Sequence, residues 1–548
     1  MIRRALLPLT LLLVPSLLVA QQGRPDVSGA TAAVTASHPL AAAAGADVLR
    51  RGGNAVDAAI TMAAVLAVVR PHMNGIGGDN FMLIHDATAG AVHALNGSGR
   101  AGSRATPASF RERGLEAIPS SGVLSVSVPG AVRAWEDALR RFGTISLADA
   151  LAPAIRHAER GFAVSTRLSL DIDGERARIA RDTAMARVFL HGGSAPAPGT
   201  VLRQPELART LRAIAAGGAD ELYGGATART VAALMDREQG LITLDDLRSH
   251  RSTWQEPIET SYHGLRILAF PPNTQGVALL AQLNIAERFD LRAMGHNSAD
   301  YIHTLVGGAR LAYEDRDRYV ADPEFADVPV ARLISKEYAR ERAALLRARG
   351  RVTPELEEGR DGSGDTVFLC VIDADGNAVS MIQSLFAAFG SARMVPGTGI
   401  VLHNRGALYS LDATHPNVVA PRKRPYHTLS PSMALRADGS LHAVLGTPGG
   451  DGQPQTVLQV LNNILLFGMT PQQAVEAPRW RSSGTNRVAV EPGIADSVRA
   501  ALVAAGHDAR TAPAGAEFGG AQIILVHPES RMRMTGADPR REAYGIAW

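Results

Sequence analysis

Residues 365–372 read DTVFLCVI, and this dense run of β-branched and apolar residues decides the fold. The chain continues over residues 373–384 as DADGNAVSMIQS, where a turn-forming segment precedes a second run of strand-forming residues. The two runs predict a β-hairpin in which residues 366–372 pair with residues 378–384. Before them, residues 349–364 are polar and end in EEGRDGSG, a composition typical of a solvated linker. The linker is therefore suited to being cut.

Thr366 stands where the linker ends and the strand begins, so a cut between Asp365 and Thr366 would make it an amino-terminal residue. A threonine hydroxyl is a poor nucleophile, but a freed α-amino group on the same residue can act as its general base. That amine has an unperturbed pKa of roughly 7.7 to 8.0, so it is partly neutral near pH 7. Taken alone, Thr366 is better explained as an ordinary strand residue, because β-branched side chains favour strands.

The composition is that of a globular protein with a large core and little net charge. Of its 548 residues, 46% are hydrophobic and 20% are charged, and the formal net charge is +3. The positive side chains are spread along the chain without basic blocks, which argues against a nucleic-acid partner and against a basic membrane-binding patch. Cys370 is the only cysteine, so no intramolecular disulfide can form.

The first twenty residues have the organisation of a signal peptide. Arg3 and Arg4 form a charged start, residues 5–18 are apolar, and Ala20 ends a plausible cleavage site. The alternative, a retained membrane anchor, is disfavoured because the apolar run is shorter than the ~20 residues that a spanning helix needs. The sequence therefore predicts export to the periplasm or the exterior, with no stable membrane span.

Glycine and proline divide the rest of the chain into predicted helices and loops. Apolar periodicity predicts an alanine-rich helix pair over residues 39–69, broken at Gly52 and Gly53, and further helices over 131–141, 147–160, 204–216 and 298–319.

Two glycine-rich loops are candidates for a site. A strand over residues 441–445 runs into GTPGG at 446–450 and then into a helix over 455–467, which is an anion-binding arrangement. A simple helix cap is the alternative explanation for this loop. The second loop, PHMNGIGGD at 71–79, fits either a site loop or a purely structural one.

The signatures of common hydrolases and of cofactor sites are missing. The sequence has no Gly-x-Ser-x-Gly elbow, no His-Glu-x-x-His motif, no paired cysteines and no Gly-x-x-x-x-Gly-Lys loop. Neither Lys336 nor Lys423 follows a serine by three residues, which excludes the Ser-x-x-Lys class. We therefore expect neither a metal nor another cofactor.

Motifs along the chain resemble those of γ-glutamyltransferases, also called glutathione hydrolases. They run in order to the C-terminus and comprise RGGNAVDAA at 51–59, GIGG at 75–78, VPG at 128–130, residues 312–322, DT at 365–366 with residues 373–379, GIVL at 399–402, KRP at 423–425, SP at 430–431 and PGG at 448–450. The resemblance implies an α/β fold of the N-terminal-nucleophile hydrolase type, an αββα four-layer sandwich. It also implies a large subunit of residues 21–365 and a small subunit of residues 366–548, interwoven as one domain.

The resemblance further implies roles for individual residues. Self-cleavage between Asp365 and Thr366 makes Thr366 the nucleophile and leaves a heterodimer of the two cleavage products. Ser384 matches the family's second hydroxyl, which touches the nucleophile. The backbone N–H groups of Gly449 and Gly450 match the oxyanion hole, where preorganised donors face the charge that develops on the carbonyl oxygen.

The γ-glutamyl pocket matches the family less well. Phe386, Arg405 and Leu408 stand where the family has amide and acid side chains that hold the substrate's ammonium group, and none of the three accepts a hydrogen bond from an ammonium. His427 and Thr428 replace two serines that the family directs at the α-carboxylate.

The family's carboxylate-binding arginine has no direct counterpart. It aligns near Ser98, which leaves Arg100 or Arg104 as the nearby arginine that could supply the charge.

Three hypotheses about function follow. In the first, the protein hydrolyses glutathione and other γ-glutamyl amides, or transfers the acyl group to an amine. In the second, favoured by Arg405, the acyl group ends in a carboxylate without a neighbouring amine, as in the glutaryl amides of cephalosporin acylases. In the third, the protein is a catalytically silent periplasmic binding protein.

Overall fold

The predicted hairpin forms the centre of an antiparallel sheet. The computed structural model describes residues 23–349, 365–484, 486–513 and 515–548. The predicted signal peptide and the linker over 350–364 lie outside these residues. No helix within the described ranges combines the length with the hydropathy required to span a bilayer.

The described strands are short and mostly antiparallel. In chain order they are β1 (Val27–Gly29), β2 (Ala33–Ala36), β3 (Asp79–Asp86), β4 (Ala91–Gly97), β5 (Phe162–Ala163), β6 (Val201–Leu202), β7 (Thr253–Gln255), β8 (Ile258–Tyr262), β9 (Leu265–Ala269), β10 (Asp365–Ile372), β11 (Ala378–Phe386), β12 (Met394–Val395), β13 (Ile400–Val401), β14 (Ser432–Leu435), β15 (Leu441–Gly446), β16 (Trp480–Ser483), β17 (Arg487–Val490), β18 (Asp508–Thr511), β19 (Gln522–Val526), β20 (Arg533–Ala537) and β21 (Tyr544–Ala547).

The described helices vary from single turns to a helix of 21 residues. In chain order they are α1 (Pro39–Arg50), α2 (Ala55–Val69), α3 (Pro107–Arg111), α4 (Ala131–Phe142), α5 (Leu147–Arg160), α6 (Thr166–Gly174), α7 (Arg176–Ile179), α8 (Thr183–Phe189), α9 (Pro205–Gly217), α10 (Asp220–Tyr223), α11 (Ala226–Arg237), α12 (Leu244–Arg248), α13 (Gly276–Ala286), α14 (Leu291–Met294), α15 (Ala299–Tyr319), α16 (Val330–Leu333), α17 (Lys336–Arg349), α18 (Gln453–Leu465), α19 (Pro471–Glu476) and α20 (Asp496–Ala504).

Two seven-stranded antiparallel sheets carry the fold. The hairpin sheet has the order β21-β2-β10-β11-β3-β4-β7, and the second sheet has the order β1-β20-β19-β15-β14-β9-β8. Each sheet therefore combines strands from before and after the Asp365–Thr366 bond. Small two- and three-stranded sheets lie outside this pair.

Side-chain alternation along β10 produces the layers. Val367, Leu369 and Val371 pack into a core that includes α1, α2, α4 and α5. Phe368 and Cys370 face the other way, into a core shared with β14, β15 and β19 of the second sheet. The second sheet packs its outer face on α13, α15 and α18. The predicted αββα four-layer sandwich is therefore confirmed.

The predicted local elements agree closely with the structure. The hairpin pairs Ile372 with Ala378 and Thr366 with Ser384, as the sequence indicated. Helices α1 and α2 are separated at residues 51–54, where Gly52 has a positive φ of 90°. Helix α18 starts at Gln453, two residues before its predicted start, because a 3₁₀ turn over Gly450–Gly452 leads directly into it.

Asp57, the acid of the RGGNAVDAA motif at 51–59, has a structural role at the start of α2. It lies at the third position of α2 and is fully buried, and it forms a reciprocal capping box with Asn54. Its carboxylate also accepts from the backbone N–H groups of Thr144 and Ile145 at 2.8 and 3.2 Å. One side chain thus joins the start of α2 to the loop before α5.

We expect Asp57→Ala to lower the free energy of unfolding by about 3 kcal/mol, because it leaves several buried donors without an acceptor. Urea denaturation measures this difference. Asp47→Ala is the matched control, since the Asp47 side chain is 64% exposed on α1, and its effect should stay within about 0.5 kcal/mol. Equal midpoints for the two variants would contradict the assignment.

Candidate active site

Thr366 lies against the residue predicted to assist it. Thr366 is 1% exposed and Ser384 is fully buried. The Thr366 hydroxyl donates to Ser384 Oγ at 3.1 Å, and Ser384 Oγ donates in turn to the carbonyl oxygen of Asp365 at 2.8 Å. The backbone N–H of Phe386 donates to the same Ser384 oxygen at 2.7 Å. A hydrogen-bond relay therefore runs from the Thr366 hydroxyl to the carbonyl of the bond predicted to be cut.

This relay has the chemistry needed to open the Asp365–Thr366 peptide bond. Ser384 can take up the proton of the Thr366 hydroxyl as it passes its own hydroxyl proton to the Asp365 oxygen, which neutralises the charge that develops there. The strand pairing supports the geometry, because the register shifts by one residue between Asp365 and Thr366. That irregularity frees the scissile peptide from the regular ladder of hydrogen bonds.

A buried cation lies beside the relay. Phe386 adopts a positive φ of 78°, which is strained for a residue with a bulky side chain. The guanidinium of Arg405 lies over its ring, 4.6 Å from the ring centroid. The strained backbone at the end of β11 thus places an aromatic surface under the Arg405 charge.

Arg405, Asp79, His427 and Thr428 form a polar cluster with almost no solvent exposure. Arg405 Nε lies 3.5 Å from Asp79 Oδ2, and Arg405 Nη1 donates to Thr428 Oγ1 at 3.4 Å. His427 Nε2 lies 3.9 Å from the same Asp79 oxygen. The structure thus brings Arg405, His427 and Thr428 together as neighbours, and their substrate-binding roles stay a prediction.

The ionisation states in this cluster follow from burial and from the charges nearby. Burial lowers the pKa of Arg405 to about 10, partly opposed by Asp79, so the guanidinium stays charged at neutral pH. Burial alone would raise the pKa of Asp79, but His403 and Arg405 outweigh it and hold that pKa well below its usual range. Burial, reinforced by Arg405, lowers the pKa of His427 well below its usual value and keeps the ring neutral.

The cluster retains hydrogen-bonding capacity that no described residue uses. Arg405 Nη2 and both ring nitrogens of His427 are buried and have no hydrogen-bond partner within the described part of the chain. A buried charged donor without an acceptor is energetically unfavourable. These unused groups can therefore bind a further acceptor, and a carboxylate matches the guanidinium geometry best.

Asp79 was not predicted as a site residue. Its position at the end of the PHMNGIGGD loop is the sequence feature that could have identified it. Asp79 begins β3 there, opposite Ser384. Its Oδ2 contacts His403 Nδ1 at 2.7 Å, and its Oδ1 accepts from the N–H of Gly99 at 3.1 Å. The pocket therefore does contain an acid, but existing partners engage both of its oxygens.

Arg100 lies apart from this cluster. Its guanidinium donates to Glu324 at 2.7 Å and to the carbonyl of Arg422 at 3.0 Å, and its side chain is 27% exposed. Arg104 likewise pairs with Asp236 at 3.0 Å. The arginine that the fold brings into the polar cluster is Arg405. A substrate-binding role for Arg100 stays a prediction.

The GTPGG loop at 446–450 follows β15 and lies beside the start of β10. A Cβ on Gly446 would be 2.3 Å from the Phe368 ring, so only glycine permits this approach. Gly449 and Gly450 have φ values of 126° and 56°. Their N–H groups are buried, and among the described residues neither donates a hydrogen bond.

Two carbonyl contacts orient those N–H groups. Because a trans peptide points its C=O and N–H in opposite directions, a held carbonyl fixes the N–H of the next residue. The Thr447 hydroxyl donates to the Pro448 carbonyl at 2.7 Å, which sets the N–H of Gly449. The N–H of Gly452 donates to the Gly449 carbonyl at 3.0 Å, which sets the N–H of Gly450. The loop thus presents two adjacent oriented donors, as an oxyanion hole requires.

Gln275 ties this loop to the polar cluster. It is fully buried, and its Nε2 donates to the carbonyls of Thr428 and Gly450 at 2.6 and 2.9 Å. Its Oε1 accepts from Arg316 at 3.1 Å and from the Tyr426 hydroxyl at 3.2 Å. All the hydrogen-bonding groups of the Gln275 side chain are used. This one amide therefore links the candidate oxyanion loop to the polar cluster. No local sequence pattern predicts this role for Gln275.

Comparison with known proteins agrees with this geometry. A family model described as Gamma-glutamyltranspeptidase matches residues 41–548. The chain belongs to the γ-glutamyltranspeptidase family. It is thus an enzyme of this family, and the resemblance seen in the motifs is confirmed.

Relatives in the γ-glutamyltranspeptidase family include enzymes with different names. The glutathione hydrolase-like YwrD proenzyme of Bacillus subtilis is 39% identical, over 95% of this chain and 99% of its own. The acylase ACY 1 proenzyme of Pseudomonas sp. strain SE83 is 38% identical, over 93% of this chain and 92% of its own. The crystal structure of cephalosporin acylase from Bacillus halodurans superposes with a TM-score of 0.89 at 38% identity, covering 96% of this chain and 97% of that one.

We expect Thr447→Val, which keeps the side-chain shape, to lower kcat on an amide substrate by about tenfold to a hundredfold. The reason is that the peptide carrying the Gly449 N–H loses its anchor. Self-cleavage should proceed at the normal rate, since the Asp365 carbonyl accepts from Ser384 instead. Thr447→Ser keeps the hydroxyl and should retain kcat. An unchanged kcat in the valine variant would exclude this role for Thr447.

Proposed function

We propose that this protein is a self-cleaving N-terminal-threonine amidohydrolase and acyltransferase that acts on γ-glutamyl amides, glutathione included, through an acyl-enzyme on Thr366. The observation that carries the proposal is the hydrogen-bond relay from the Thr366 hydroxyl through Ser384 to the Asp365 carbonyl. The names of the relatives, which are proenzymes, support cleavage into two pieces. We further propose residues 1–20 as an export signal, on their sequence pattern.

Self-cleavage would use groups that are already in contact. Thr366 Oγ attacks the carbonyl carbon of Asp365 as its proton passes to Ser384 Oγ, and Ser384 passes its own hydroxyl proton to the Asp365 oxygen. The C–N bond of the neutral tetrahedral intermediate then breaks as that proton moves from the oxygen to the nitrogen, leaving Asp365 joined to Thr366 Oγ by an ester. Water hydrolyses the ester, which yields a C-terminal Asp365 and a free amine on Thr366. The products are the proposed subunits, residues 21–365 and 366–548.

Turnover would follow the same logic with an external amide. The Thr366 amine accepts the hydroxyl proton while Oγ attacks the substrate carbonyl. The N–H groups of Gly449 and Gly450 stabilise the oxyanion. The amine then passes its proton to the departing nitrogen, and water or a second amine takes the acyl group from Thr366.

A second candidate donor is an acyl group that ends in a carboxylate but lacks the α-amine. Arg405 supports it, because its Nη2 has no described partner while the one acid beside it, Asp79, is already engaged. A γ-glutamyl ammonium would find no unengaged carboxylate oxygen in this cluster, only the neutral His427 ring and the Thr428 hydroxyl as acceptors. The relatives named as acylases support this candidate as well.

Thr366→Ala should remain a single chain and should release no amine from any substrate, because it lacks the nucleophile. We expect Ser384→Ala to slow self-cleavage by tenfold or more, since the relay to the scissile carbonyl is lost. Thr366→Ser, which keeps the hydroxyl, is the matched control and should be cut. Electrophoresis with N-terminal sequencing of the smaller band measures all three. A wild-type chain that stays uncut and inactive would instead favour a silent binding scaffold.

The donor is decided by a pair of substrates that differ only in the α-amine, γ-glutamyl and glutaryl 4-nitroanilide. Arg405→Leu should lower kcat/KM for both by about tenfold to a hundredfold, because the acyl carboxylate loses a charged donor. Arg405→Lys should recover part of this loss. Faster release of nitroaniline from the glutaryl compound would select the second candidate, and faster release from the γ-glutamyl compound the first.

A further inference from the structure

A buried histidine beside the polar cluster has no part in the proposed chemistry. His403 is fully buried, and both of its ring nitrogens lie against oxygen atoms. Its Nδ1 lies 2.7 Å from Asp79 Oδ2, and its Nε2 lies 2.7 Å from the carbonyl oxygen of Ser127. Both distances are those of strong hydrogen bonds. The charge state of His403 therefore follows from what these two neighbours can donate or accept.

Satisfying both contacts requires a proton on each side of the ring. A neutral imidazole carries one N–H, and the Ser127 carbonyl oxygen can only accept, so that N–H belongs on Nε2. A second proton must then lie between Nδ1 and the Asp79 carboxylate, and the pair is neutral overall whichever atom holds it. The Ser127 hydroxyl could instead donate to Nε2 at 3.3 Å, but the lone pair of Nε2 would then face the nearer carbonyl oxygen. The pair of Asp79 and His403 thus carries no net charge.

The fold holds the His403 ring against these partners. The backbone N–H of His403 donates to the carbonyl oxygen of Gly77 at 3.0 Å. A Cβ on Gly77 would lie 2.2 Å from the carbonyl oxygen of Val401, so the GIGG loop and the segment that carries His403 are in direct backbone contact. Asp79 follows two residues after Gly77, where β3 pairs with β11. The ring and the carboxylate therefore come from two segments that are fixed against each other.

The pairing of Asp79 with His403 leaves the charge of Arg405 without a counter-charge of its own. Asp79 Oδ2 is 2.7 Å from His403 Nδ1 but 3.5 Å from Arg405 Nε. Within the described residues, Nε and Nη2 of Arg405 have no hydrogen-bond partner. Burial keeps the His427 ring neutral by lowering its pKa. The cluster therefore holds one net positive charge, that of the Arg405 guanidinium.

We infer that the proton shared by Asp79 and His403 selects for an acyl group with a net negative end, because it frees the Arg405 guanidinium to bind the terminal carboxylate. His403 is then a specificity-determining residue that acts through Asp79 and does not touch the substrate. Without that proton, Asp79 and Arg405 would balance each other, and the cluster would no longer distinguish an anionic acyl end from one that also carries an ammonium. This inference rests on the proposed function.

The test follows the ratio of kcat/KM for glutaryl to that for γ-glutamyl 4-nitroanilide in processed enzyme. We expect His403→Gln, which keeps a donor but cannot hold the shared proton, to lower this ratio by about tenfold, because the charge of Asp79 is then unbalanced. Adding Asp79→Asn removes that charge, so the double variant should recover the ratio to within about threefold of wild type. A purely structural role of His403 would not be rescued in this way. Rates are normalised to the amount of small subunit formed.

Asp79→Asn alone is a second arm that does not depend on how well His403→Gln folds. In the inferred state, the shared proton is lost together with the negative charge, so the ratio should stay within about threefold of wild type. If the wild-type cluster instead held an unbalanced Asp79 beside a neutral His403, the same substitution would raise the ratio about tenfold. Such a rise would overturn the inference.

His442→Gln is the matched control and should keep the ratio within about twofold. This half-buried ring on β15 carries no charge near pH 7, since burial and Arg436 lower its pKa to about 4. An unchanged ratio in His403→Gln, or a lowered ratio that the double variant does not recover, would overturn the inference. Turnover of the γ-glutamyl amide alone by wild type would overturn it too, and if only the glutaryl amide is turned over, its kcat/KM replaces the ratio. All these outcomes leave the proposed function intact, whereas a processed wild type that turns over neither amide would refute it.

Discussion

The antiparallel pairing of β10 with β11 is the constraint on which the candidate site depends. It sets Thr366 opposite Ser384, and a one-residue shift at the strand start sets Asp365 opposite Phe386. Because side chains alternate along a strand, a register slip of one residue would turn the Thr366 hydroxyl to the opposite face of the sheet. On its other edge β11 pairs Ser384 with Asp79 of β3. Strand β11 thus brings together Thr366, the proposed nucleophile, its hydroxyl partner Ser384 and Asp79, the acid of the polar cluster.

The polar cluster shows why burial matters as much as proximity. Arg405 and Asp79 carry opposite charges in a region without solvent, where an unpaired charge is far costlier than at the surface. Asp79 offsets part of the cost for Arg405, and the Phe386 ring below it contributes a cation–π contact. Among the residues that the structure describes, a donor of Arg405 and the nitrogens of a neutral His427 have no hydrogen-bond partner. The cluster can therefore take a further acceptor, and the Arg405 charge favours an anion.

The sequence predicted those parts of the molecule whose causes are local. The hairpin follows from strand-forming runs around a turn, and the order of strand, GTPGG loop and helix over residues 441–465 follows from glycines between two apolar runs. Family resemblance then supplied the roles of Thr366, Ser384 and the two glycines. The four-layer architecture followed from the same source, and the alternation along β10 explains it physically.

Residues that act through distant contacts escaped prediction. Gln275 joins two loops that are more than 150 positions away in sequence, and Arg541 reaches Asp365 across 176 positions. Neither residue belongs to a local pattern, because its neighbours in sequence differ from its neighbours in space. Arg100 shows that proximity in sequence does not ensure proximity in space. It lies two positions from Ser98, yet its guanidinium turns to Glu324, while the cation of the cluster comes from residue 405.

In the proposed mechanism, self-cleavage and turnover develop negative charge on two different oxygens, and a different group would stabilise each. The Asp365 carbonyl contacts the Ser384 hydroxyl, whereas the N–H groups of Gly449 and Gly450 donate to no described residue. The Ser384 hydroxyl can rotate, so it can donate to the Asp365 carbonyl during the proposed self-cleavage and lose that acceptor afterwards. A backbone loop held by Thr447 and Gln275 cannot reorient so easily, which suits a reaction that must be repeated many times. In the proposed mechanism, self-cleavage removes the contact between Ser384 and the Asp365 carbonyl and creates the Thr366 amine that turnover needs. Self-cleavage therefore always precedes turnover.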